Sequence, residues 1–271
     1  MKDQYHVNLL YSGTELGAGF IVNSRYVLTA AHCLRWLPPD TLGVQIQLAS
    51  GARIDGTVVE QHPRKDLALI EIGQSEEFIP RPPCAEKSRP DDRWASGYRP
   101  SQSDPEISGT VLACDMDYQC VGGDTIKALQ LKTRTDIGDY SGYSGSPIEQ
   151  RNDDLNPYLT AILIEQYPDR QHPERSSNVL FATDLGTALT AFSQFDVKHL
   201  HGVLAPELDD ASAIENTPNQ EERSEATRAI DDSRVFMAEV DAWEAGGLID
   251  QQTASQLRLR IIERTLDRGL S

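Results

Sequence analysis

Between Tyr5 and about Phe192 the apolar residues fall in short runs, many of them alternating with polar ones, and each run is broken by Gly, Pro, Asn or Asp. A period of two between turn-forming residues marks antiparallel strands that bury one face. Helical spacing is mostly absent from this stretch. The runs predict strands over 6–11, 17–22, 44–48, 53–60, 67–72, 109–113, 128–131, 159–164 and 179–183, with a further strand from Tyr26 that ends at His32. So many short strands predict a mainly β fold of barrels or a sandwich.

Two stretches interrupt the pattern. Residues 78–105 are rich in Pro and Arg, and because proline cannot donate to a ladder this segment reads as a long connection between half-domains. Residues 206–220 carry Asp, Glu, Ala, Ser, Asn and Pro with little to bury, which reads as a linker. Beyond it Ile230, Val235, Phe236, Val240 and Trp243 fall near helical spacing, Gly246-Gly247 breaks the run, and Ile249, Leu257, Ile261, Ile262 and Leu266 resume it. This predicts an α-helical hairpin. The expected organisation is a β domain over 1–200, an acidic linker over 201–220 and the helical hairpin over 221–271. Two helices alone bury little area, so the hairpin must pack on the β domain, on a second copy or on another protein.

Composition narrows the function classes. A hydrophobic fraction of 39% with 25% charged residues supports a folded core. The formal net charge of −17 repels phosphate backbones and anionic lipid, so neither a nucleic acid nor a membrane is expected as partner. No apolar run approaches bilayer length, and the amino end lacks a signal-peptide layout, so a cytoplasmic location is expected. The four cysteines, Cys33, Cys84, Cys114 and Cys120, are irregularly spaced and form no CxxC pair; reduced thiols are the expectation, with Cys114 and Cys120 the one pair near enough in sequence to bridge. Asp115, Asp117 and Asp124 lack the glutamate of a calcium loop, and His172, His199 and His201 lack ligand-spaced partners. No metal and no cofactor is expected.

Three segments carry candidate chemistry. The first is Leu28-Thr29-Ala30-Ala31-His32-Cys33, which closes an apolar strand with a group that titrates near neutral pH. The second is Asp66-Leu67-Ala68-Leu69-Ile70, where a carboxylate opens an otherwise apolar strand. The third is Asp139-Tyr140-Ser141-Gly142-Tyr143-Ser144-Gly145-Ser146-Pro147, a tight Gly/Ser loop whose amides can converge on one point.

These strings, in the order His, Asp, Ser, resemble the motifs of the chymotrypsin-like (trypsin-type) serine peptidases, and the feel is closest to the bacterial intracellular branch. The resemblance spans roughly Tyr5 to Phe192 and implies two six-stranded antiparallel barrels. It implies that His32 is general base, that Asp66 orients it, with Asp55 or Glu60 as alternatives, and that Ser144 is the nucleophile, with Ser141 and Ser146 as competitors. The N–H groups of Gly142 and Ser144 would form the oxyanion hole. The implied partner is a protein or peptide substrate. Domains of this kind in bacterial signalling or defence systems are joined to regulatory modules, which makes residues 221–271 a candidate for binding a regulatory protein or for self-association.

The sequence departs from the family in ways that matter. Tyr143 stands where an aspartate serves activation by a new N-terminus, so control by N-terminal cleavage is not expected. Gly17 to Gly19 occupy the strand that would carry a bridging cysteine, which leaves Cys33 a free thiol. The substrate pocket is expected among Gly138, Asp139, Ser141, Ile164 and Glu165, with Asp136 near it. Its carboxylates either accept Arg or Lys or face water on loops, while Gly138 takes the usual position of the pocket-floor acid. The alternative to an enzyme is a catalytically silent protease-fold scaffold that acts through its helical tail.

Overall fold

In the computed structural model, residues 4–75, 77, 79–96, 106–134, 137–151, 157–168, 176–195, 225–245 and 249–269 are described. They divide into two units, Met1–Phe192 and Ser193–Ser271.

The first unit consists of two closed antiparallel barrels of six strands each. Barrel one is built from β1 (His6–Tyr11), β2 (Thr14–Asn23), β3 (Tyr26–Thr29), β4 (Gly43–Leu48), β5 (Arg53–His62) and β6 (Leu67–Ile72), paired in the order β1-β2-β3-β6-β5-β4. Alternation drives this architecture: in β4 Val44, Ile46 and Leu48 are buried, and in β5 Ile54 and Val58 are buried between exposed neighbours. Closing the sheet removes its edges and lets those inward side chains fill the lumen.

Barrel two contains β7 (Arg93–Ser96), β8 (Ile107–Gln119), β9 (Thr125–Thr133), β10 (Pro147–Gln150), β11 (Tyr158–Pro168) and β12 (Ser176–Asp184), in the order β10-β11-β12-β9-β8-β7. Its core joins Trp94, Val111, Leu131, Tyr140, Tyr143, Ile148, Leu163 and Leu180. A short helix, α1 (Leu185–Thr190), follows β12, and the Asp184 carboxylate accepts the Thr187 N–H at its start.

The predicted strands lie within observed ones except the one from Tyr26, which ends at Thr29 instead of His32, and β7 and β10 were not anticipated. β7 falls inside the Pro-rich connection, and β10 opens with Pro147, which is tolerated as the first residue of a strand. His32 does not end a strand; it sits on the 3-10 turn Ala31–Leu34 that follows β3. The β8–β9 hairpin extends well past the predicted 109–113 and 128–131, pairing as far as Gln119 with Thr125. Its carboxylates bind cations of the protein itself: Asp115 to Lys87 at 3.0 Å, Asp117 to Lys127 at 2.7 Å and Asp124 to Arg64 at 2.8 Å. Among the described residues no His, Cys, Asp and Glu group is arranged to hold a metal.

In the second unit α2 (Glu225–Ala245) and α3 (Gln251–Gly269) form the helical hairpin. Val240 and Trp243 of α2, and Thr253, Ala254, Leu257 and Ile261 of α3, are buried at the i, i+3, i+4 spacing of one helix face. Ile262, read from the pattern as apolar core, is exposed. Asp250 caps α3 by accepting the Thr253 N–H at 2.7 Å, and Arg258 joins the two helices through Asp241 and Glu244, each at 2.5 Å. The segment read as an acidic linker, 201–220, and His172, His199 and His201 lie outside the described residues. Among the described residues no helix is long and apolar enough to cross a membrane.

Candidate active site

His32 is held by one residue twice. The Asp66 carboxylate accepts the His32 main-chain N–H on Oδ1 at 2.9 Å and lies 2.7 Å from ring Nδ1 on Oδ2. The Asp66 carbonyl also accepts the Ala31 N–H at 3.1 Å. An ionised carboxylate only accepts, so Nδ1 carries the proton and Nε2 is left with its lone pair. The Asp66 side chain is 8% exposed and that of His32 35%, so the acid is shielded while the ring keeps access to the cleft. Asp66 has φ of 58°, in the left-handed region that aspartate tolerates better than most residues. Asp55 is paired on β4–β5, and Glu60 lies 2.9 Å from His62; neither is hydrogen-bonded to His32.

Ser144 sits on two consecutive tight turns. Tyr143 N–H returns to the Tyr140 carbonyl at 3.2 Å with Gly142 at φ 87°, and Ser146 N–H returns to the Tyr143 carbonyl at 3.0 Å with Gly145 at φ 85°. A positive φ at the third turn residue is the type II requirement, met by glycine without steric cost. Tyr140 and Tyr143 are buried in the core of barrel two, which anchors the turns from beneath. Gly145 N–H binds the Leu163 carbonyl at 2.8 Å, and the Cys33 thiol lies 3.4 Å from the Ser144 carbonyl. The N–H groups of Gly142 and Ser144 are bonded to none of the described residues. The Ser144 hydroxyl donates to the Ile164 carbonyl at 3.3 Å and not to His32.

His32, Ser144 and Gly142 line one cleft of about 320 Å³ together with Leu16, Arg35, Trp36 and Val121. A second hollow of about 460 Å³ is lined by His32, Asp66, Pro63, Val121 and Glu165. Of the competing serines, Ser141 donates its hydroxyl to Asp139 at 2.7 Å and Ser146 is buried.

A family model, the trypsin-like peptidase domain, matches residues 17–155, just over half of the chain, and includes all three segments. The chain belongs to the trypsin-like peptidase family. Among solved structures, the HtrA-type protease AlgW with decapeptide superposes with a TM-score of 0.54 at 16% identity, over 70% of this chain and 63% of that one. The present chain thus spans less than two thirds of AlgW's length. The protease domain of MamO from Magnetospirillum magneticum gives 0.54 at 20% identity, over 70% of this chain and 97% of that one. Rv3671c from M. tuberculosis in an inactive form gives 0.51 at 17%, over 69% and 83%. At these identities the likeness is one of fold.

The trypsin-like domain differs from sequence expectation in its pocket. Ser141, Ile164 and Glu165 line the cleft, whereas Gly138 and Asp139 are outside its lining and Asp136 lies outside the described residues. Gly138 uses its carbonyl to accept the Ser176 N–H at 2.7 Å. Asp139 accepts from Ser141 N–H at 2.9 Å, from the Ser141 hydroxyl and from Gln166, and the Ser141 hydrogen bonds hold its carboxyl below the ordinary value. Arg35, Trp36 and Val121 were not anticipated as lining residues. Trp36, 71% exposed beneath the Arg35 guanidinium, is a large apolar surface beside the histidine string, the one signal that pointed to it.

None of Cys33, Cys84, Cys114 and Cys120 is in a disulfide. A Cβ on Gly17 would stand 2.6 Å from Cys33 Sγ, so the glycine-bearing strand does face this cysteine. Burial pushes the Cys33 thiol up to about 12, which makes it a packing group and not a nucleophile.

Proposed function

We propose that the chain is a serine endopeptidase in which Ser144 attacks a peptide carbonyl, His32 takes and returns the proton, and Asp66 holds the imidazole in the required tautomer. The observation that carries this reading is the double hold of Asp66 on His32, at 2.9 and 2.7 Å, on the wall of the cleft that Ser144 also lines. A serine hydroxyl is inert until a base removes its proton, and the free Nε2 is that base.

Before attack the Ser144 hydroxyl leaves the Ile164 carbonyl and rotates to His32. The tetrahedral intermediate places its oxyanion against the N–H groups of Gly142 and Ser144, a role supported by their place in the two turns. His32 then passes its proton to the leaving amine, an acyl-enzyme forms on Ser144, and water reverses the sequence. The unit Ser193–Ser271 is proposed to bind a regulatory protein, supported by the exposed Leu259 and Ile262 on its second helix. A reducing, cytoplasmic setting is proposed from cysteines that pair in no disulfide.

A fluorophosphonate probe tests the reading. Labelling of the full chain is expected, abolished in Ser144→Ala and slowed in His32→Ala. A folded wild-type chain that takes no label overturns it in favour of a silent scaffold, and label that persists in Ser144→Ala overturns the role of Ser144 by assigning the reactive group elsewhere.

A further inference from the structure

Glu165, on β11 at the cleft wall, has both carboxylate oxygens engaged. Oε2 accepts the Tyr118 hydroxyl at 2.5 Å and Oε1 accepts the Val121 main-chain N–H at 2.8 Å. Tyr118 lies near the end of β8, stacked on Phe181 at 3.9 Å, and Val121 lies in the tip that joins β8 to β9. Burial and the nearby Glu165 carboxylate push the Tyr118 hydroxyl well above its ordinary value, so it stays a donor.

That tip crosses to barrel one and meets the loop that delivers Asp66. A Cβ on Gly122 would stand 2.2 Å from the Pro63 carbonyl oxygen and 2.9 Å from Arg64 Cα, so only glycine permits the approach. Asp124 donates its N–H to the Arg64 carbonyl at 3.0 Å and accepts from Arg64 Nε at 2.8 Å. The Cys120 thiol faces the Lys65 carbonyl at 3.8 Å. Each of the three residues before Asp66 is therefore gripped by barrel two. The conformation at Asp66, with φ of 58°, is one that persists when its surroundings impose it.

We propose that Glu165 is a positioning residue that latches the β8–β9 tip onto loop 62–66, thereby fixing Asp66 and His32, and that it is not a docking acid for a basic substrate side chain. This rests on the peptidase reading above and deepens it. Each carboxylate oxygen already accepts one hydrogen bond from the hairpin, which turns the group toward Tyr118 and Val121 and leaves it only partly available to Arg or Lys. What the latched tip presents to the two hollows beside His32 is Val121, 90% exposed, across a lining they also share with Arg35.

The test compares the full chain with Glu165→Ala, Glu165→Gln and Tyr118→Phe. Glutamine keeps an acceptor for Val121, and phenylalanine keeps the ring stacked on Phe181 while removing one latch bond. Glu165→Ala is expected to lower kcat about 10- to 100-fold, the scale of a misplaced catalytic group, with KM little changed. Glu165→Gln should recover most of it and Tyr118→Phe should fall between. Hydrogen exchange of the 62–66 and 120–124 amides should accelerate together in Glu165→Ala, and this readout needs no catalysis. A KM rise confined to peptides with Arg or Lys before the cut, at unchanged kcat, overturns the proposal by making Glu165 the docking acid. Unchanged exchange at 62–66 in Glu165→Ala overturns it whether or not the chain is a peptidase. Absence of Ser144-dependent labelling sinks the peptidase reading alone, and the exchange result then decides the latch.

Discussion

A methyl group on Gly145 would stand 2.1 Å from the Ala18 carbonyl oxygen, so the turn carrying Ser144 meets the wall of barrel one with no space for a side chain. The same carbonyl accepts the Thr29 hydroxyl at 2.7 Å, which pins it in place. The Ser144 loop of barrel two and the strands leading to His32 are thereby set against each other through backbone.

Gly145→Ala is accordingly expected to damage the site more than the fold. The backbone at φ 85° disfavours a Cβ by about 1–2 kcal/mol, and the contact with Ala18 forces the turn outward. Fluorophosphonate labelling should slow by at least about 100-fold, the cost of a displaced reacting atom. Labelling within about threefold of wild type at an unchanged melting temperature would refute this contact.

Asp66→Asn keeps the shape of the acid while presenting a donor where Nδ1–H needs an acceptor. The ring then favours the tautomer with its proton on Nε2, and kcat should fall by about 10⁴-fold. Stability should change little beside the kinetic loss, which thermal unfolding run alongside the assay would show.

Glu149, five places after Ser144 in the chain, is buried on β10, accepts the Tyr5 hydroxyl, and lies 3.4 Å from His6 and 3.6 Å from Arg151. Burial alone would raise its carboxyl, but the His6 and Tyr5 hydrogen bonds and the Arg151 charge bring it below the ordinary 4.5. With the folded value below the unfolded one, the unfolded chain takes up more protons as pH falls. The stabilisation is therefore complete above 4.5 and is lost as pH drops through the folded value. Urea unfolding across this range should show stability falling with acid in the wild type and a flatter profile in Glu149→Gln. A steeper profile in the variant would contradict the assignment.

The buried thiols should be silent in the folded chain. Burial pushes Cys33 and Cys120 each up to about 12, so almost no thiolate exists at neutral pH. Iodoacetamide at pH 8 should leave both unmodified, and denaturant should expose both, as peptide mass spectrometry would read. Modification of Cys33 in the native protein would mean that the packing beneath Ser144 is open.

The alternation of apolar residues was enough to read most of both barrels, because a half-buried strand writes its inner face into every second position. β7 and β10 escaped because β7 is a four-residue run inside the Pro-rich connection and β10 begins with proline and carries Glu149 and Gln150, whereas the equally short β3 opens on the wholly apolar Tyr26-Val27-Leu28. His32, Asp66 and Ser144 could be singled out as candidates because each stands in a string whose residue types the proposed chemistry demands. Glu165 was legible only as a carboxylate near the site. Its partners Tyr118 and Val121 lie on another hairpin, and no local pattern encodes a bond between residues so far apart.

The order of residues dictated which side chains turn inward and where a base, an acid and a hydroxyl stand along the chain, since both follow from periodicity and local chemistry. Folding chose their company: Asp66 beneath His32, the Ser144 hydroxyl on the Ile164 carbonyl, and Glu165 committed to a hairpin tip. Contacts of that kind are fixed by two closed barrels packing at one depth and angle, a three-dimensional condition that a one-dimensional string does not express.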